Sequence, residues 1–133
     1  MSKYNTHLAA EFYVLSMLHR LGAEATLTLG NKKSVDIVIA RDAGDAITVD
    51  VKGLAGKTSW PVDNFRARAM HYLAFLTFLG KIADPSVVPV TYIVPADKVP
   101  DLTYEAPGGR RIVELRRLRK EGAMYLNGWS QLL

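Results

Sequence analysis

The chain contains no cysteine. That excludes a disulfide scaffold, zinc–thiolate sites and thiol catalysis, and it fits a reducing, cytoplasmic setting. Long hydrophobic runs are missing too. The longest apolar stretch, Tyr72 to Leu79, is too short for a bilayer and holds Thr77, so no membrane partner is expected. Met1-Ser2-Lys3-Tyr4-Asn5 lacks the apolar core of a secretory leader. Histidine is scarce, and His7, His19 and His71 do not have metal-ligand spacing. There is no Walker loop, dinucleotide fingerprint or nucleophile elbow, and Gly108-Gly109 signals only a turn. Internal repeats, low-complexity tracts and linkers are absent as well.

What is present fits one folded domain over residues 1–133. Hydrophobic residues make up 49% of the 133, enough for a core and too much for a disordered chain. The formal charge of +4 is compatible with nucleic acid without demanding it.

Residues 5–21 read as a helix, with Asn5 or Thr6 as N-cap and Gly22 as the stop. Leu8, Glu11, Leu15 and Leu18 fall on one stripe, so Glu11 interrupts an apolar face. Strands are expected at 25–29, 35–40 and 46–52, with a basic turn at 30–34 and a hairpin loop at 41–45. Residues 53–64 read as a flexible loop, and 65–70 as a short helix or turn. Strands follow at 71–79 and 87–94, then a short helix at 96–102, a loop at 103–109 and a charged helical segment at 111–121. Tyr125, Trp129 and the terminal leucines are expected in the core. The order gives an α/β (α+β) fold, a mixed central sheet of about five strands flanked by helices.

The most informative residues are Asp36 and Asp50-Val51-Lys52. Positions 50 and 52 share one face of a strand. A five-residue loop at 41–45 pairs Ala40 with Ala46 and places Asp36 opposite Asp50. Two facing carboxylates repel unless a cation joins them. Asp36, Asp50 and the Val51 carbonyl offer hard oxygen ligands suited to Mg²⁺, with Mn²⁺ as a substitute. Lys52 would then orient or deprotonate a water, or offset charge on phosphate. Glu11 could reach the metal if its helix packs on this sheet. Such an arrangement suits phosphodiester hydrolysis.

Three segments carry a resemblance: His7-Leu8-Ala9-Ala10-Glu11-Phe12, Ser34-Val35-Asp36-Ile37-Val38 and Asp50-Val51-Lys52. In order and spacing the sequence resembles the PD-(D/E)XK nuclease superfamily, in particular small prokaryotic or phage, Holliday-junction-resolvase-like members. The motifs cover the first half of the chain; the second half is compatible in topology only. The resemblance implies a restriction-endonuclease-like αβββαβ core and Mg²⁺-dependent cleavage of DNA. It implies metal ligation by Asp36 and Asp50, a catalytic Lys52 and a helical acid Glu11. Val35 stands in place of the eponymous proline, and Asp50 in place of the more usual glutamate. Cutting both strands would call for a homodimer.

Plainer readings stand beside these. Asp50 and Lys52 alone would be a surface ion pair. Glu11 would pair with Arg20 or Lys33, and Asp36 would cap the turn before its strand. Lys33, Lys57, Ser59 and Trp60 could line a nucleic-acid path, with Trp60 stacking on a base, or Trp60 could simply anchor its loop. The basic stretch from Arg110 to Lys120 is either a DNA backbone contact or a solvated helix face. The competing function is a nuclease fold without catalysis, used to bind nucleic acid or protein.

Overall fold

The computed structural model describes residues 2–28, 36–63 and 65–133. Helix α1 spans Lys3–Arg20. Its N-cap is Ser2, whose Oγ accepts the Asn5 N–H at 3.1 Å, so the helix begins before the Asn5 and Thr6 caps expected from sequence. It ends where Gly22 turns left-handed at φ +86°, as the sequence predicts. The buried line is Thr6, Ala10, Val14 and Leu18. Leu8, Glu11 and Leu15 lie half-buried on its flank, which corrects the stripe drawn from hydropathy alone.

Strands β1 (Glu24–Leu27), β2 (Ile37–Ala40) and β3 (Ala46–Leu54) form an antiparallel meander. The β2–β3 register pairs Ala40 with Ala46 and Ile37 with Val49, the pairing a five-residue loop dictates. Strand β4 (Ser59–Pro61) then leaves for a second sheet. Strand β5 (His71–Thr77) returns parallel to β3, and β6 (Val90–Pro95) closes the edge antiparallel to β5. The main sheet is thus mixed and five-stranded in the order β1-β2-β3-β5-β6, an α+β fold of the class expected from sequence. Between β3 and β5 the described residues contain β4 and irregular chain, with a turn at 69–70. A 3₁₀ helix follows at Ala96–Leu102.

The second sheet was not foreseen. It joins β4, β7 (Thr103–Glu105) and β8 (Arg111–Glu114) in the order β4-β8-β7, and α2 (Leu115–Glu121) leads on from β8. The loop expected at 103–109 therefore holds a strand, and the expected helix at 111–121 begins as strand over Arg111–Glu114 before turning helical. Residues 55–58, expected to be flexible, are tied down. Gly80 N–H donates to the Ala55 carbonyl at 2.6 Å, Phe78 N–H to Leu54 at 2.9 Å, and the Thr77 hydroxyl to Gly56.

Two cores result. One lies between α1 and the main sheet, from Ala10, Val14 and Leu18 through Ile37, Val49 and Val51 to Trp129 and Leu132. The other lies on the opposite face, where Leu73, Phe75 and Val94 meet Trp60, Val113, Leu115 and Leu118. Leu133 stays half-exposed and Tyr125 partly buried, so Trp129 and Leu132 do most of the tail's docking. Among the described residues no helix is long and apolar enough to cross a membrane.

Candidate functional site

Strand β3 divides its side chains between the two cores. Ile47, Val49 and Val51 face α1. Asp50 and Lys52 face the other way, beside Leu73 and Phe75 of β5. Asp50 is only 4% exposed. A carboxylate so buried needs partners. Lys52 supplies one, with Nζ 3.2 Å from Asp50 Oδ2.

Asp36 stands at the entrance to β2. Its backbone completes the ladders on both sides: its N–H donates to Val49 O at 2.8 Å, and its carbonyl accepts from Thr28 N–H at 2.9 Å. Its side chain then turns to β3, where Oδ2 accepts the Val51 N–H at 2.7 Å. The same carboxyl hydrogen-bonds Asp50. Burial pushes the Asp36 carboxyl up to about 7. The Val51 N–H opposes that rise, while the Asp50 bond and the charges of Asp50 and Glu11 add to it. The Asp36 carboxyl thus gives up its proton only near neutrality.

Glu11, on α1, interacts with this pair through its charge. A Cβ on Gly53 would stand 2.8 Å from the Ala10 Cβ and 3.1 Å from the Thr6 carbonyl, so only glycine lets α1 approach β3 this closely. Burial raises the Glu11 pKa first, His7 lowers it and Asp50 raises it again. No ion pair with Arg20 occurs; the Arg20 guanidinium contacts the Met17 sulfur instead. Lys33, the alternative partner and a candidate nucleic-acid contact, lies outside the described residues.

Trp60 does not face solvent. It is 1% exposed, its Nε1 donates to the Leu76 carbonyl at 3.0 Å, and its ring meets Phe75 edge-on at 5.3 Å. Base stacking by Trp60 is therefore replaced by the anchoring role. Lys57 stays exposed and Ser59 half-exposed. Much of the basic stretch is structural. Arg111 donates to the Asp63 carbonyl at 2.7 Å, and Arg117 holds the carbonyls of Asp101 and Thr103.

One neighbour escaped prediction from the sequence. His71, 3% exposed, shares a 2.7 Å hydrogen bond between its Nδ1 and Thr48 Oγ1. It lies on the Asp50 face, paired with Thr48 across the parallel β3–β5 ladder. Burial lowers its pKa first, then the Arg68 charge, while Asp50 raises it. Parallel pairing across a long excursion of the chain leaves no local trace in sequence.

No family model and no curated protein matches the chain in sequence. The fold itself is shared. The solved structure of a bacterial homing endonuclease, I-Ssp6803I, superimposes with a TM-score of 0.61 at 18% identity. The match covers 100% of this chain and 94% of that one.

The donors suit a hard divalent cation. Asp36 and Asp50 bring two neighbouring carboxylates, the first with its pKa raised by burial, and the Val51 carbonyl belongs to the strand that carries Asp50. Among the described residues no three acidic or histidine side chains converge as a ready-made ligand set. The fit is thus to a site with two carboxylates and a backbone oxygen, with Glu11 standing off from it.

Proposed function

We propose that this protein is a metal-dependent nuclease that hydrolyses DNA phosphodiester bonds. The observation that carries the reading is the convergence of Asp36, at the entrance to β2, with Asp50 and Lys52 of β3, and Glu11 coupled to them by charge. The fold shared with a homing endonuclease supports it. Asp36, Asp50 and the Val51 carbonyl would hold Mg²⁺ or Mn²⁺, which supplies Lewis acidity toward a phosphate oxygen and toward water. Asp50 holds the Lys52 ammonium at the border of the acid cluster, where it faces charge growing on phosphate. Glu11 adds negative potential that favours the cation.

The test is incubation of purified protein with supercoiled, linear, single-stranded and branched DNA in Mg²⁺, Mn²⁺ or chelator. Product that needs metal, and that disappears in Asp50→Asn, is expected. Equal product in chelator contradicts the proposal. Cutting both strands of a duplex would take two copies of the site, so cleavage assays belong beside a measurement of mass in solution.

A second reading has one observation in its favour. The Asp50–Lys52 ion pair neutralises the acid from within, as in a site that no longer binds metal. A nucleic-acid-binding module of this kind would bind DNA with salt-dependent affinity, and Mn²⁺ would not change its melting temperature.

A further inference from the structure

Beside the acid cluster lies a cleft of about 480 Å³ between the first turns of α1, the end of β3 and β4. Its charged and ionisable lining is Lys3, His7, Lys52 and Arg110, with the Ser59 side chain among them and no carboxylate. Two other clefts among the described residues differ. One of about 380 Å³ carries Glu24 and Asp42 beside Arg41, and one of about 430 Å³ carries Asp97 beside Arg68 and His71. The basic cleft is also continuous with the acids. Lys52 belongs to both, and on α1 the residues Lys3, His7 and Glu11 succeed one another at four-residue intervals along a single face. Each interval is about 6 Å of helix rise, on the order of the distance between neighbouring phosphates of one strand. Lys3 is exposed and makes no ion pair among the described residues, so its ammonium is available to a ligand. Arg110 is tethered by Asp63 at 3.0 Å and presents its remaining donors at the rim.

We infer that this cleft is a backbone-phosphate subsite, holding the nucleic-acid phosphates that flank the one cut at the acid cluster. The inference deepens the nuclease reading and rests on it for the position of the cut bond. Its floor runs along residues 53–56, and the hydrogen bonds from β5 and the turn after it fix residues 54–56 in place. Affinity here would be electrostatic and independent of base identity, because the lining offers cations and a hydroxyl while the Trp60 ring is buried.

The test is the salt dependence of binding to a labelled DNA duplex, by fluorescence anisotropy in Ca²⁺. The proteins are the native chain, Lys3→Ala/Arg110→Ala, Lys3→Glu and Lys120→Glu. The double variant should flatten the slope of log K against log salt by about 1–2, roughly 0.9 for each phosphate no longer neutralised. Lys3→Glu should weaken binding at least about tenfold at low salt. A glutamate at the start of α1 complements the helix dipole, so this variant keeps its melting temperature and the weaker binding is not a failure to fold. Lys120→Glu makes the same change of net charge on α2, away from the cleft, and should cost far less. Unchanged slope and affinity in the cleft variants overturns the inference, and so does an equal loss of affinity in Lys120→Glu. Mg²⁺-dependent cleavage by the native protein is scored separately. A flattened slope without cleavage keeps the subsite and removes the nuclease; cleavage with an unaltered slope does the reverse.

Discussion

The two faces of β3 obey different rules. Toward α1 it presents Ile47, Val49 and Val51, all fully buried among apolar neighbours, and then Gly53, against which the helix lies. Toward the second sheet it presents a buried Asp50 between the half-buried Thr48 and Lys52. The first face contributes stability at about 25 cal/mol per Å² of apolar surface removed from water. The second costs stability, because its charges lose hydration and gain few partners. Strand and sheet are the same, so the difference lies in what each face is for. Close, enclosed carboxylates of this kind are what the proposed metal site requires.

The largest expected effect tests the polar face. Asp50→Asn or Lys52→Ala should reduce DNA cleavage on the order of 10³-fold or more in single-turnover assays, with circular dichroism unchanged. An active Asp50→Asn enzyme would break the comparison outright. The apolar face predicts the opposite profile. Gly53→Ala forces a methyl group to within 2.8 Å of Ala10 and should cost about 1–3 kcal/mol in chemical denaturation. It also shifts Glu11, so cleavage falls with stability.

Asp36→Asn should separate stability from function. It removes a half-buried acid that repels Asp50 while an amide oxygen can still accept the Val51 N–H. The metal-free variant should gain roughly 3–5 °C in melting temperature at pH 8 and lose cleavage. The pH dependence carries the same sign. The folded Asp36 pKa, about 7, lies above its ordinary 3.8. The folded state therefore holds the extra proton between those values, and this group's contribution to stability declines as pH rises from about 4 to 7. Divalent metal should reverse that decline above pH 7, where it replaces the proton. The smallest effect concerns Trp60. Trp60→Phe loses the bond to Leu76 and should cost about 1 kcal/mol, with DNA affinity unchanged.

The pairing of Asp36 with Asp50 was legible in sequence, because a side-chain period of two and a turn of known length fix the register of a hairpin. The placement of Lys52 with Asp50 followed from the same period. Glu11 was recognised as a misfit, but for an inexact reason. The stripe that buries α1 passes through Ala10, and a close approach set by Gly53 brings Glu11 to the acids. That approach is a tertiary fact with no local pattern. The second sheet was hidden for a similar reason. Strands β4, β7 and β8 are three or four residues long, and β8 runs directly into α2, so Ile112, Leu115 and Leu118 mimic one helical face. His71 and the basic cleft depend on the parallel β3–β5 pairing and on the docking of α1, neither of which leaves a spacing to read.

The most direct measurement is calorimetric titration of the protein with Mn²⁺ at pH 8 and pH 6 in buffers of differing ionisation enthalpy. The acid cluster predicts saturable binding to each chain, weaker at pH 6, accompanied by proton release and abolished in Asp50→Asn. Saturable binding that persists unchanged in Asp50→Asn, or no binding at either pH, would contradict it.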